Sequence, residues 1–175
     1  RGIPCILILF VLTTGCSRTS LTSGDPVAKE IITRSIRQYS SENWEIRKLS
    51  VARAADYTDS AYTKNLVLFF LMASNDPHPL VRVEALRALK KMRAESAMVK
   101  IRYHALYDPD VTARWTAYTA LEEYHSAENE SAFITGCRDS DWLIRESAVR
   151  GLLGIDDPVV QNRNIDLVIS MINDS

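Results

Sequence analysis

Histidine and cysteine are the residues from which a catalytic or metal site would most readily be built, and this chain has few of them. The histidines are His78, which lies between two prolines, His104 and His125, and none has a Cys, Asp or Glu at a helical ligand spacing that stands out. Cys137 falls in the register of core residues, so we expect it to pack rather than react. With neither a Gly-rich phosphate loop nor a G-x-S-x-G nucleophile elbow, the sequence predicts no catalytic residues, no metal and no cofactor.

Arginine and aspartate recur at a regular spacing. Four arginines follow one another at offsets of 35, 32 and 31 residues, and an aspartate stands six residues before three of them, with Ser41 in the first copy. Charge-assisted hydrogen bonds between such residues would link a turn to its helix, or one repeat to the next. The predicted structural ladder comprises Asp76, Arg82, Asp108, Arg114, Asp139 and Arg145, with Arg47 in the first copy.

The elements that position these residues are helix pairs. In the second copy Val81, Ala85 and Leu89 share one helical face with small residues that allow close helix packing, and a second apolar helix precedes each turn. A period of this length is typical of stacked repeats. The predicted units are 27–57, 60–92, 94–124 and 127–155, with a half-unit from 158, in one domain over 27–175 that we expect to be truncated from a longer array.

The second copy carries the pattern VR-x-x-A-x-x-A-L after an Asp-Pro turn. This pattern resembles the short HEAT-like repeat that is also found in phycobilin lyases; Ala113, Tyr118, Ser41 and Ala54 depart from it. The resemblance implies an all-α fold, an α-solenoid of stacked antiparallel helix pairs. It also implies a binding role, because such arrays usually bind peptides or proteins along a concave face.

The second helix of each unit is expected to line that face. Positions one and five after each arginine are predicted to point away from the apolar stripe: Lys48, Ala52, Val83, Arg87, Trp115, Thr119, Glu146 and Arg150. Trp115, flanked by Arg87 and Arg150, is the candidate anchor, with Thr119 beside it, because Trp and Arg are common at binding hot spots. Packing of Trp115 on its neighbours is the alternative. Trp44 and Trp142 share another register and are expected to pack between turns.

The N-terminal segment resembles an export signal. The apolar run from Ile3 to Leu12 is shorter than the roughly 20 residues that span a bilayer, and Gly15-Cys16 resembles a bacterial lipobox with Thr13 in place of the usual Leu. We therefore expect a lipoprotein-type signal peptide over 1–15, lipidation of Cys16, a flexible tether over 16–26, and an exported protein anchored to a membrane of the bacterial cell envelope. A plain secretory peptide, or a buried helix with Cys16 incidental, is the alternative.

The formal net charge of -1 predicts no long-range attraction to nucleic acid. The basic cluster of Lys90, Lys91 and Arg93 is expected to be a solvated helix end. The sequence thus favours a non-catalytic protein-binding or scaffold module whose partner is a protein or peptide, with no small-molecule substrate evident. The alternative is an enzyme or enzyme subunit resembling the phycobilin lyases, and a nucleic-acid-binding HEAT-like protein is a third reading.

Overall fold

The chain is all-helical over the residues that the structure, a computed structural model, describes: 25–58 and 61–173. This part contains nine α-helices, two short 3-10 helices at Glu95–Ala97 and Ala127–Asn129, and no strand, so the predicted all-α class is confirmed. The predicted signal peptide and Cys16 lie outside the described residues. The α-helices are α1 Pro26–Gln38, α2 Trp44–Ala55, α3 Thr63–Ala73, α4 Pro79–Met92, α5 Met98–Tyr107, α6 Val111–Glu122, α7 Glu130–Gly136, α8 Trp142–Leu153 and α9 Pro158–Asn173.

Helices adjacent in sequence pack in pairs: α1 with α2, α3 with α4, α5 with α6, and α7 with α8. The second helices of these pairs also pack on one another in chain order, α2 on α4, α4 on α6 and α6 on α8, and α9 packs on α8. The second helices therefore form the continuous part of the molecule, and the first helices attach to it.

The start of each second helix is fixed by its turn. The side chains of Asn43, Asp110 and Asp141 accept hydrogen bonds from backbone N–H groups in the first turn of α2, α6 and α8. At α4 the residue before the helix is His78, which gives no such bond, and Pro79 occupies the first helical position, where a missing N–H costs nothing. The predicted capping pattern is observed at all four turns.

Small and apolar residues of the second helices make the core. The residues three after each arginine, Ser50, Ala85, Ala117 and Ala148, are fully buried, as are those seven after it, Ala54, Leu89, Leu121 and Leu152. The residue before the arginine is fully buried at Val81, Ala113 and Ile144. Ile46 in the first unit is 42% exposed, and no described unit precedes it to cover it.

Two large rings in the later units are accommodated by glycine. A Cβ on Gly136 would lie 2.6 Å from the ring of Tyr118, and a Cβ on Gly151 would overlap the ring of Phe133. Alanine occupies the corresponding positions of the second and third units, at Ala73 and Ala105 for Gly136 and at Ala88 and Ala120 for Gly151. The buried Tyr118, which replaces Leu86 of the second unit, is thus accommodated by a smaller neighbour, and its hydroxyl donates to the Ala132 carbonyl at 3.1 Å.

Within the described ranges, no helix combines the length and the apolar composition that a membrane span requires.

Candidate functional site: the arginine–aspartate ladder and the second-helix cleft

The ladder arginines Arg47, Arg82 and Arg114 each bind the aspartate of the following unit. In the central pair, Arg82 Nε and Nη2 donate to the two carboxylate oxygens of Asp108 at 2.8 and 2.6 Å. Arg47 binds Asp76 in the same way at 2.7 and 2.9 Å, and Arg114 binds Asp139 at 3.2 and 3.4 Å. This two-point geometry fixes direction as well as distance, so each pair sets the register between neighbouring units.

The same arginines also bind the turn that precedes their own helix. Arg82 Nη1 donates to the carbonyl oxygens of Asp76 and Pro77 at 3.1 and 3.2 Å. Asp76 Oδ1 in turn accepts the N–H of His78 at 2.9 Å, which tightens that turn. One guanidinium therefore joins its own turn to the turn of the next unit.

The central pair is the most buried of the three. The side chain of Asp108 is 1% exposed and that of Arg82 is 10% exposed. Burial acts to raise the pKa of the Asp108 carboxyl, but hydrogen bonds from His104, Arg82 and the Asp110 N–H outweigh it and hold that pKa well below its ordinary value. The same balance of burial against hydrogen bonds lowers the pKa of Asp76 and of Asp139.

Two side chains that were not among the predicted ladder residues, His104 and Tyr39, also bind its aspartates. His104 Nδ1 lies 2.9 Å from Asp108 Oδ2, and its other ring nitrogen is buried with no hydrogen-bond partner among the described residues. The Tyr39 hydroxyl donates to Asp76 Oδ2 at 2.8 Å. The four-residue spacing of His104 and Asp108 was a usable signal, because residues so spaced share a helical face even when the second lies just beyond the helix end. No pattern in the sequence indicates that Tyr39 and Asp76, which are 37 residues apart, are in contact.

Arg145 differs from the other arginines. Its Nη1 donates to the carbonyl oxygens of Asp139 and Ser140 at 2.9 Å each, but it is exposed and binds no carboxylate of the described residues. Asp174, which stands in the register of Asp76, lies outside them.

The tryptophans of the first and fourth units also have different surroundings. Trp44 stacks on His78 of the next turn with ring centroids 3.8 Å apart, whereas Trp142 is 62% exposed.

A shallow cleft of about 390 Å³ lies between the second helices α2 and α4. It is open to solvent and mixes apolar, cationic and anionic side chains. We call it the second-helix cleft, and it is lined by Leu49, Ala52, Arg53, Ala55, Asp56, Glu84, Arg87, Ala88 and Lys91.

Arg87 is the only one of the four predicted partner-binding residues that lines this cleft. Its side chain is 57% exposed, and its Nη1 lies 3.7 Å from Glu84 Oε2. Trp115 is half-buried against the core, and the Thr119 hydroxyl donates to the Thr116 carbonyl at 2.9 Å.

Arg150, the fourth predicted residue, bridges α6 and α8. It lies 3.2 Å from Glu122 and 2.8 Å from Glu146. No cation–π contact within 25–58 and 61–173 joins Trp115 to either flanking arginine. The expectation that Val83 points away from the core is wrong, since it is only 3% exposed.

The basic cluster of Lys90, Lys91 and Arg93, and Cys137, all contact other residues of the fold. Lys90 and Arg93 both pair with Glu123, and Lys91 donates to the Ala55 carbonyl at 3.1 Å. Cys137 packs half-buried against the core, and burial raises the pKa of its thiol. In the part of the chain that the structure describes, no group of three His, Cys, Asp or Glu side chains is placed to hold a metal ion.

Comparison with known proteins adds no assignment: no protein-family model matches the chain, and no curated protein sequence matches it. The class of molecule is therefore defined by its own structure, as an all-helical protein of consecutively packed helix pairs joined by arginine–aspartate bonds.

Proposed function

We propose that the chain is a non-catalytic binding or scaffold module built as a HEAT-like α-solenoid. The consecutive packing of α2, α4, α6 and α8 supports this arrangement, because second helices in a solenoid contact only their neighbours. The bonds from Arg47 to Asp76, Arg82 to Asp108 and Arg114 to Asp139 support it further, since the same contact recurs between successive units.

The observation that carries the binding role is the open second-helix cleft. Sites for small molecules usually enclose their ligand, whereas this cleft is open to solvent and carries charges of both signs beside the half-exposed Leu49. A peptide or protein segment with its own apolar residue and mixed charges fits such a surface. No close carboxylate contact within the described residues holds any of the three cations of the cleft. Arg53 donates to Gln38 Oε1 at 3.3 Å, Lys91 donates to the Ala55 carbonyl at 3.1 Å, and Arg87 lies 3.7 Å from Glu84.

Trp115, Thr119 and Arg150 would extend the binding surface along α6 and α8. Arg150 would then exchange its bonds with Glu122 and Glu146 for an acidic group of the partner. Because those bonds are largely exposed, exchanging them costs about 0 to 1 kcal/mol each. Trp115 contributes the part of its ring that is not packed on the core.

Site-specific crosslinking tests this surface. A photoactivatable residue replacing Ala52, which lines the cleft, is expected to give a discrete protein adduct in cells, while the same residue at Val159, which is 78% exposed on α9, gives none. Trp115→Ala in the crosslinking chain is expected to weaken the adduct with little loss of helicity. Equal labelling at both positions would refute a specific partner on the second-helix face.

The proposed location is the bacterial cell envelope, with Cys16 lipidated, and it is supported by the sequence pattern alone. Intact mass and membrane fractionation of the full-length protein, beside Cys16→Ala, test it directly. A lipid-sized mass and membrane retention that are both lost in the variant support the anchor. A soluble and unmodified wild-type protein would reopen the lyase-like reading, tested by bilin absorbance on mixing, and the nucleic-acid reading, tested by salt-dependent DNA binding.

A further inference from the structure

The first helices α3 and α5 present exposed apolar side chains. On α3 these are Leu68 and Met72, which are 67% and 38% exposed, and on α5 they are Val99, Tyr103 and Tyr107, which are 72%, 53% and 67% exposed. Each set recurs at a spacing of four residues, so it forms one stripe along its helix. We call the five residues the first-helix patch.

A second open cavity joins the α5 stripe to the second unit. Its volume is about 450 Å³, and it is lined by Leu71 of α3, by Asn75 of the turn that follows, and from the other side by Ser96, Val99, Lys100 and Tyr103. It therefore borders the α5 stripe directly and the α3 stripe through Leu71, the residue before Met72. Soluble proteins rarely leave large contiguous apolar areas uncovered unless they contact a partner or a membrane.

The charged side chains of α3 and α5 are all cationic, and the exposed Glu95 stands four residues before Val99, ahead of α5. Neither α3 nor α5 contains an aspartate or glutamate, whereas each has a lysine on the same side, Lys64 one turn before Leu68 and Lys100 beside Val99. Lys100 Nζ lies 4.7 Å from the centroid of the Tyr103 ring, and neither lysine pairs with a carboxylate of the described residues. On the second helices, in contrast, Arg150 is held by Glu122 and Glu146.

We propose that the first-helix patch lies against an anionic lipid bilayer. Exposed aliphatic residues enter the boundary between headgroups and acyl chains, tyrosines place their rings there with the hydroxyl in water, and lysines extend to lipid phosphates. Because α3 and α5 carry no carboxylate, the exposed Glu95 before α5 is the acidic group of this region that an anionic surface would repel. The second-helix cleft belongs to other helices and stays available to a protein partner.

Sedimentation of the full-length protein with lipid vesicles tests the proposal. Vesicles of phosphatidylcholine and phosphatidylglycerol are compared with vesicles of phosphatidylcholine alone. Val99→Ser combined with Tyr103→Ser is expected to lower partitioning into the anionic vesicles about tenfold, because an apolar area of roughly 50 to 60 Å² no longer leaves water. Lys64→Gln combined with Lys100→Gln should lower it several-fold in anionic vesicles and leave the neutral ones unchanged. Val159→Ser, at an equally exposed position on α9, is the control and should change neither.

Hydroxyl-radical labelling separates this contact from attachment through the N-terminal segment. With anionic vesicles present, labelling of Met72 and Tyr103 is expected to fall while that of Trp142 is unchanged. Membrane attachment through the N-terminus alone would leave Met72 and Tyr103 fully labelled and would overturn the proposal. A dimer that is lost in the Val99→Ser, Tyr103→Ser variant, without any vesicle effect, would overturn it in favour of a second copy of this chain.

Discussion

Replacement of Arg82 by alanine should destabilise the fold more than replacement of any exposed arginine. The variant leaves the Asp108 carboxylate, whose side chain is 1% exposed, without the two N–H donors at 2.8 and 2.6 Å that neutralise it. It also removes the donor from the carbonyl oxygens of Asp76 and Pro77. Breaking a buried ion pair by removing one partner typically costs about 3 to 5 kcal/mol.

The lower half of that range is expected here. Asp108 keeps its hydrogen bonds with His104 and with the N–H of Asp110, so it is not left wholly unpaired. Arg145→Ala is the matched control, because Arg145 makes the same two bonds to its own turn and binds no described carboxylate. Its loss should cost about 0.5 to 1.5 kcal/mol, the usual net value of exposed hydrogen bonds. The difference, about 1.5 to 3.5 kcal/mol, is then the contribution of the bond between units.

Urea unfolding followed by far-ultraviolet circular dichroism measures both variants, with the slope of the transition checked against the wild type. A double-mutant cycle of Arg82→Ala and Asp108→Ala should give a coupling free energy of about 1 to 3 kcal/mol. Equal losses for Arg82→Ala and Arg145→Ala, together with zero coupling, would refute the reasoning that the ladder holds neighbouring units together.

Three further changes probe the interior. The free energy of unfolding should fall as the pH is lowered from about 5 toward 2. The reason is that an aspartate in the unfolded chain, with a pKa of about 3.9, binds a proton at a pH where Asp108 of the folded protein is still ionised. Asp108→Asn should make this pH dependence weaker in unfolding titrations, and an unchanged dependence would contradict the role given to Asp108. Gly151→Ala should cost about 1 to 3 kcal/mol, because its Cβ overlaps the Phe133 ring; Phe133→Leu in the same chain should recover part of the thermal midpoint, and no recovery would exclude this contact as the cause. Trp44→Ala should lower the free energy of unfolding by about 1 to 2 kcal/mol, because the ring that stacks on His78 is lost, and the thermal midpoint should fall with it. Trp142→Ala, at an exposed position, should change that free energy by no more than about 0.5 kcal/mol; equal effects would show that the stack is not stabilising.

Local signals predicted much of the fold. The N-caps at Asn43, Asp110 and Asp141 follow from side chains that bond to backbone only a few residues away, and the apolar stripe follows from helical periodicity. The spacing of aspartate and arginine indicated ion pairs, but it did not show whether each arginine binds the aspartate of its own unit or that of the next. A six-residue interval does not reveal which turn lies beside a guanidinium. Val83 was misplaced because its position faces a neighbouring helix, and a helical period cannot distinguish that side from solvent.

The candidate site was less accessible to sequence reasoning. Arg87, Trp115 and Arg150 were grouped by their register on successive helices, but grouping by register assumes that equivalent positions have equivalent surroundings. Glu122 and Glu146 bind Arg150, whereas Arg87 has only a loose contact with Glu84. The sequence also did not indicate that Leu68 and Val99 are exposed, because an apolar residue in an amphipathic helix is expected in the core unless the packing of the neighbouring helices is known.

The helical class, the turns and the identity of the repeating residues follow from the sequence, because they depend on interactions between residues close in the chain. The folded structure was needed to show which aspartate each arginine binds, that Tyr39 joins the ladder, and that glycine at positions 136 and 151 makes room for rings from neighbouring helices. Those contacts join side chains that lie up to 37 residues apart or depend on helix packing. Their geometry is set by how closely the small residues of the second helices allow the units to approach.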